Sequence, residues 1–566
     1  MGRQQFYCCL PIRPSSEFSD RFQGLISQMN DANIWYKNAV FYQVYVRAFC
    51  DSDGSGHGDF RGLTSRLDYI ASLGVDCIWI MPMYPSPLND DGYDIADYKG
   101  IHPDYGTLED FQAFLDAAHR RGLRVITDLV LNHTSDRHPW FVESRKSRDN
   151  PYRDYYVWSD NDQRFQGVRI IFLDVEDSNW TLDETTGQYY WHRFYASQPD
   201  LNFDNPEVRA EMTEIVRYWL DMGVDGYRAD AVPYLFERED TSCENLPETH
   251  EFLKSIRGMM NIEYPEKILL CEANMWPEDV RAYFGDGDEF HLGFHFPIMP
   301  RIFMSLKKGD ATDMIEILDR TPEIPDGCQW VTFLRNHDEL TLEMVTADDR
   351  EWMWAQYAPE PRMRLNLGIR RRLAQLLDND PRKLRLAYAL LFSLPGSPIV
   401  YYGDEIGMGD NIRLDDRNGV RTPMQWRNAP HGGFTDPDAR PYSPAIDSEE
   451  FGYAKVSVEA AEADPDSLLH FIRGLIATRK GQPALGAGDF AWIKNGNPAV
   501  AAYRRQLDGH QILCFNNLKD TDQHLSFEWD GPEPELYWGG LKRIHIAPGR
   551  LEVELEPYQA AWMKSM

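Results

Sequence analysis

The sequence predicts an α/β protein: a (β/α)8 TIM barrel with an inserted subdomain after its third strand, followed by a C-terminal antiparallel β-sandwich domain. Three observations predict it. Short apolar runs alternate with segments of helical spacing over most of the 566 residues, the pattern of parallel strands buried on both faces. Three acids, Asp230, Glu272 and Asp338, stand just after such runs, where a barrel gathers its chemistry on one face. From about Gly488 the runs shorten, alternate and are broken by turn residues, as antiparallel strands require.

Residues 1–35 show no sustained periodicity and read as a leader, disordered or draped over the surface. The barrel is expected over 36–137 and 201–487. Its first strands are Phe41–Val46, Cys77–Met81 and Arg124–Thr127, with helical spacing through Leu63–Leu73 and Leu108–Arg120. Between 138 and 200 the alternation gives way to a stretch rich in Trp, Tyr and charge, including Asp149-Asn150-Pro151 and Asp160-Asn161-Asp162. An insertion at that point rises over the barrel mouth as a lid. Strands resume at Val224–Ala229, Ile268–Cys271, Trp330–Arg335 and Ser397–Tyr402, toward an expected count of eight. Residues 488–566 form the last domain, with strands at Ala499–Tyr503 and Gln511–Phe515.

Composition narrows the partners. A 43% hydrophobic content supplies ample core. Lys and Arg number 58 and Asp and Glu 90, so the formal net charge is 58 − 90 = −32, which disfavours nucleic acid and anionic membranes. A small, neutral, polar substrate fits better. No apolar stretch reaches the ~20 residues needed to span a bilayer, and Met1 to Pro14 has no secretory-type apolar core, so a cytoplasmic protein is expected. Of eight cysteines, Cys77, Cys271 and Cys328 lie in or beside apolar runs, Cys8 and Cys9 fall in the leader, and no C-x-x-C pair occurs. Reduced thiols are expected rather than a disulfide framework or a zinc site. The sequence leaves oligomeric state open and compatible with a homo-oligomer.

The three acids suggest glycosidic-bond chemistry. Cleaving an acetal with retention needs one carboxylate to attack the anomeric carbon and one carboxylic acid to protonate the leaving oxygen, roughly 5 to 5.5 Å apart. Asp230 is assigned as nucleophile, kept ionised by Arg228 two residues earlier on the same side of a strand. Glu272 is assigned as acid/base, its pKa raised by neighbouring carboxylates. Asp338 would bind sugar hydroxyls and favour the distorted ring. A separate segment, Asp51-Ser52-Asp53-Gly54-Ser55-Gly56-His57-Gly58-Asp59, offers ligands at Asp51, Asp53, Ser55, His57 and Asp59 with glycines for tight turns, as a calcium or magnesium loop requires.

Four motifs stand in chain order: Asp128-Leu129-Val130-Leu131-Asn132-His133, Gly226-Tyr227-Arg228-Ala229-Asp230-Ala231, Glu272 after its apolar strand, and Asn336-His337-Asp338. Together they resemble the α-amylase family, glycoside hydrolase family 13, from about Trp35 to the C-terminus. The resemblance implies that His133 and His337 donate to glucosyl hydroxyls. It also implies that the block Asp90 to Tyr98 supplies a stacking Tyr93 and a hydroxyl-binding Asp94, with Gln198 and Asn274 at the rim. The Asp51 loop resembles the family's short metal loop, although Ser55 stands where an acid is common, which weakens binding. A structural calcium is implied at Asn132, Asp200, Glu237 and the backbone carbonyls of Tyr234 and Leu235, tying the insertion to the barrel. No organic cofactor is expected.

The resemblance narrows further. Val168–Phe172, Asp177–Trp180, Asn336–Leu340, Asp415–Trp426 and Pro85–Tyr98 are similar to family members that interconvert maltose and trehalose by intramolecular glucosyl transfer with minor hydrolysis. In such a mechanism Phe172, Arg169, Glu339 and Arg421 would cage the cleaved glucose and exclude water. The alternative is an α-glucosidase hydrolysing short α-glucans; Arg-Asn-Gly-x-Arg-Thr-Pro-Met-Gln-Trp segments occur there too. A non-catalytic partner subunit is disfavoured by the intact acids and by the lack of an anchor segment.

Overall fold

A computed structural model describes residues 34–565. Eight parallel strands close into a barrel: β1 (Phe41–Val44), β2 (Cys77–Ile80), β3 (Arg124–Val130), β4 (Gly226–Asp230), β5 (Ile268–Cys271), β6 (Leu292–Phe294), β7 (Gln329–Phe333) and β8 (Ser397–Tyr401). Each pairs with its neighbours in sequence, and β8 pairs with β1 to complete the ring. Only Arg124, at the start of β3, is not buried, which is why the strands read as continuous apolar runs. β6 has three residues and had no distinct signal in the sequence.

The helices carry local start signals. Thr107 and Asp110 form a reciprocal capping box at the head of Leu108–Arg120, whose inner face buries Phe111, Phe114 and Leu115. Pro206–Met222 and Pro247–Glu263 begin on proline, whose missing N–H is not needed in a first turn. The helical segment expected at Leu63–Leu73 is two helices, Phe60–Ser65 and Leu67–Leu73, joined at Arg66.

The insertion forms a three-stranded antiparallel sheet from Trp158–Ser159, Trp180–Asp183 and Gln188–Trp191. Its small core joins Val157, Phe165, Trp180 and Trp191 to Cys243, from the loop that follows β4. Backbone bridges His133 to Asp200 and Tyr156 to Leu201 fasten it to the end of β3.

The C-terminal domain has two antiparallel sheets, as expected. One orders β9 (Asp489–Trp492), β10 (Val500–Leu507), β11 (His510–Asn517), β16 (Ala560–Ser565) and β13 (Glu535–Gly539); the other orders β12 (Gln523–Glu528), β15 (Arg550–Leu555) and β14 (Arg543–Ala547). Leu513, Phe515, Leu525 and Val553 pack between them. Arg505 of β10 is buried and donates to the carbonyls of Ser393 (2.9 Å) and Leu485 (2.7 Å), fixing this domain to the barrel.

The expected leader, apart from its last two residues, and with it Cys8 and Cys9, lies outside the described residues. The six described cysteines are free and buried. Among the described residues no helix is long and apolar enough to cross a membrane.

Candidate active site

Strand register assembles the site. Asp128 of β3 is paired with Arg228 of β4, and Val130 with Asp230, so Arg228 and Asp230 share one face of β4 at its C-terminal end. Chain direction turns at once: Ala231 takes a left-handed conformation (φ 51°) and a short helical turn, Val232–Tyr234, follows. Glu272 directly follows β5, and its N–H donates to the Ala229 carbonyl (3.1 Å). Asp338 sits beyond β7 in a loop held by its own N–H donating to Asn336 Oδ1 (3.1 Å). The three acids line one cavity.

Arg228 is the hub. Its Nη1 donates to Asp230 Oδ1 (2.6 Å) and Asp128 Oδ1 (2.5 Å), and its Nη2 contacts Glu272 Oε1. Burial nevertheless raises both acids. It pushes Asp230 up to about 6 against the pull of Arg228. It pushes Glu272 to about 8, again against Arg228 and aided by the charges of Asp230 and Asp338. The sequence assigned the Glu272 shift to crowding by carboxylates; desolvation is the larger cause. Asp338 goes the other way. Burial opposes its ionisation, but His337 and the guanidiniums of Arg417, Arg421 and Arg228 outweigh it and hold the carboxyl well below its usual range. The site thus pairs an acid protonated at neutral pH with two that are ionised there, the asymmetry a retaining double displacement needs.

Several expected sugar contacts do line the cavity: Tyr93, His133, Phe172, Asn274, His337 and Glu339. His133 is buried, its pKa pushed down to about 3 by desolvation, and its Nε2 has no protein partner. A neutral ring with a free nitrogen is suited to a hydroxyl. Asn274 Oδ1 is likewise unpaired, while its Nδ2 donates to Thr341 (3.1 Å). Burial also lifts Glu339 to about 7.

Four expected residues are placed elsewhere. Asp94 does not line the cavity: its carboxylate accepts from Ser86 Oγ (2.7 Å) and from the N–H groups of Asn89 (3.0 Å) and Asp90 (3.2 Å), so it holds the turn closed. Asp90, three residues before Tyr93, lines the cavity instead. Arg421 lies beneath the site, where it bonds Asp338 (3.0 Å), Asp91 (2.5 Å) and the His337 carbonyl (2.8 Å). The guanidinium of that segment that faces the cavity is Arg417, which joins Asp338 (3.0 Å) to Asp90 (2.5 Å). Gln198 is fully buried behind the site and donates to Asp90 (3.0 Å). Arg169 is not a lining residue but a strap: it reaches Glu244 (2.8 Å), Glu343 (3.0 Å) and Tyr234 Oη (3.1 Å). Sequence reasoning missed Asp90, Arg417, Phe194 and Glu343; the first two stood inside quoted motifs, four residues from the ones chosen.

The expected calcium ligands fit a cation. Asn132 Oδ1, Asp200 Oδ2 and Glu237 Oε1 are all buried without a hydrogen-bond partner, a combination costly unless something positive satisfies them. Desolvation pushes Asp200 up to about 8, and it raises Glu237 with help from the Asp200 charge. Tyr234 and Leu235 end a helical turn, where carbonyls are left free. In the Asp51 loop, oxygens of Asp51, Asp53 and Asp59 lie within 4.8 Å of one another. These carboxylates also serve the loop itself, Asp51 accepting from the N–H groups of Asp53 (3.0 Å), Gly54 (2.9 Å) and Gly56 (2.7 Å). The Ser55 hydroxyl turns back onto the His57 carbonyl (3.3 Å). The His57 imidazole is not with the carboxylates: it stacks on Tyr442 and approaches Asp104 (3.7 Å), because the turn directs it outward.

A parallel barrel with acids at the carboxyl ends of β4 and β5 and beyond β7 defines a carbohydrate-active enzyme, and sequence comparison agrees. The α-amylase catalytic domain matches residues 43–359 and 369–488, and the C-terminal domain of maltogenic amylase matches residues 490–562. The chain belongs to the α-amylase family. It is 54% identical to a trehalose synthase of Pimelobacter sp. (strain R48), covering 90% of this chain and 91% of that protein. It is 55% identical to a trehalose synthase/amylase of Mycobacterium tuberculosis, covering 87% and 84%. Its fold is similar to the crystal structure of a trehalulose synthase from Pseudomonas mesoacidophila MX-45, with a TM-score of 0.76, 29% identity and coverage of 94% and 99%.

Proposed function

We propose that the protein is an isomerase that interconverts maltose and trehalose by a retaining, intramolecular double displacement. Asp230 attacks the anomeric carbon of the non-reducing glucosyl unit while Glu272 gives its proton to the departing O4. Asp338 and Asp90, held by Arg417, bind the glucosyl hydroxyls with His133 and His337. The freed glucose turns within the pocket and presents its own anomeric hydroxyl. Glu272, now a carboxylate, removes the proton of that anomeric hydroxyl as its oxygen attacks the glucosyl-enzyme, giving the 1,1-linked product and restoring Asp230 and the protonated Glu272.

The observation that carries isomerisation over hydrolysis is the roof of the pocket. Phe172 of the insertion lies over Arg417 (5.5 Å), and Arg169 ties the same segment to Glu244 and to Glu343. Closed over bound sugar, such a roof would hold the leaving glucose at high effective concentration and keep water from the intermediate. The names of the relatives support the same reading. Asn132, Asp200 and Glu237 with the carbonyls of Tyr234 and Leu235 would hold a structural calcium, and Asp51, Asp53 and Asp59 a second calcium or magnesium. Either ion would brace loops and supply no step of the chemistry. Free buried cysteines suit a reducing, cytoplasmic setting. Incubation with maltose and chromatography of the products tests the reading: trehalose should dominate, and mainly free glucose would make the protein an α-glucosidase.

A further inference from the structure

His337 presents its Nε2 to the pocket side, 2.7 Å from Tyr93 Oη and 3.1 Å from Asp338 Oδ2, and its Nδ1 to the barrel interior, 2.8 Å from the side-chain amide of Gln43 on β1. Both Gln43 and His337 are buried. A neutral imidazole has one proton, and which nitrogen carries it decides whether Nε2 donates or accepts. We propose that Gln43 is a positioning residue: its amide N–H caps the Nδ1 lone pair of His337 and commits the ring proton to Nε2.

The alternative arrangement inverts every bond. If Gln43 turned its carbonyl to the ring, Nδ1 would carry the proton, and Tyr93 would donate to a bare Nε2. That lone pair would then face the Asp338 carboxylate at 3.1 Å, acceptor against acceptor in a water-poor site. Asp338 is also the acid most firmly ionised by its surroundings, with Arg417 and Arg421 each 3.0 Å from Oδ1. The oxygen of Tyr93 has a donor either way, because Arg228 Nη1 reaches it (3.3 Å). No other described residue holds Gln43 Oε1, so the ring and Asp338 set the orientation of the amide. The remaining neighbours are neutral toward the choice: Trp79 meets the ring edge-on, and Arg421 Nε binds the His337 carbonyl rather than the imidazole.

The inference rests on His337 serving the pocket, but one test of it does not depend on the substrate. In protein labelled with ¹⁵N-histidine, the His337 signals, assigned by their loss in His337→Gln, should show a protonated Nε2 and a lone-pair Nδ1 at neutral pH. A protonated Nδ1 overturns the proposal whatever the reaction. Kinetics on maltose supplies the second arm. Gln43→Glu keeps size and reach but offers Nδ1 an acceptor, so kcat/KM should fall roughly 10- to 100-fold below wild type at neutral pH, and the gap to wild type should narrow toward acid pH, where added protons restore a donor at Nε2. Gln43→Leu, which only removes the cap, should lose less. A packing role predicts the reverse order, the near-isosteric Glu harming less than Leu with an unchanged pH profile, and that result would also overturn it.

Discussion

Arg228 Nη1 lies 2.6 Å from Asp230 Oδ1 while its Nη2 contacts Glu272. One cation therefore favours ionisation of both reacting acids, although the proposed chemistry needs only one of them charged. Burial resolves the conflict by setting Asp230 near about 6 and Glu272 near about 8.

The pH dependence of kcat/KM follows from that pair. Asp230 must lose its proton and Glu272 must keep one, so activity should rise through about pH 6 and fall through about pH 8. Arg228 opposes the Asp230 shift, so Arg228→Lys, which loses the planar fork, should move the rising limb upward and cut kcat/KM at pH 6 more than at pH 7.5. An unmoved rising limb would detach Arg228 from the charge of Asp230.

Asp230→Asn should abolish turnover of maltose, and Glu272→Gln should lower kcat about 10²- to 10⁴-fold, the usual range for a lost general acid/base. The two should differ with a glucosyl donor whose leaving group needs no proton. Glu272→Gln should then still accumulate a covalent glucosyl-enzyme visible by mass spectrometry, and Asp230→Asn should not. An adduct on Asp230→Asn would place the nucleophile elsewhere.

How much of this was legible follows from where each residue sits. The acids were legible because each ends or follows a barrel strand, and a strand fixes the direction of its side chains. The helix Leu108–Arg120 was legible from its periodicity and cap. β6, only Leu292–Phe294, is too short to show a period and lies between His291 and His295. Asp90 and Arg417 were missed for a different reason. Both lie in irregular loops, where a motif marks the segment but not which carboxylate or guanidinium faces the pocket. Asp94 and Arg421 carry the same chemistry four residues away, and only hydrogen bonding shows that they are consumed in holding the loop and Asp338. Burial as the chief cause of the Glu272 shift was also hidden, because depth is a property of the closed barrel.

Removing metal should cost stability rather than chemistry. A cation bound only by the native state contributes about 2.7 kcal/mol at a hundredfold excess over its Kd, or about 2 °C of Tm for a chain of this size. Chelation should lower Tm accordingly, and Asp200→Ala should lower it and shrink the further response to chelator to what the Asp51 loop contributes. Equal chelator sensitivity in wild type and Asp200→Ala would move the ion to the Asp51 loop, where Asp53→Ala should then remove the response.

The roof of the pocket decides between isomerase and hydrolase. Arg169 is anchored on the insertion and reaches Glu343, which lies beyond β7, and Glu244, which follows β4, so three chain segments meet over the acids. If the cleaved glucose stays beneath them, conversion of maltose in excess labelled glucose should yield trehalose carrying little label, since the retained sugar outcompetes any from outside. Arg169→Ala should loosen the strap and Phe172→Ala should thin the roof, leaving Asp230, Glu272 and Asp338 in place. Water then competes for the glucosyl-enzyme, so the ratio of free glucose to trehalose should rise in both variants while total maltose cleavage falls much less. Heavy labelling of trehalose by the wild-type protein would mean that glucose exchanges before transfer, and an unchanged product ratio in both variants would mean that the insertion does not exclude water.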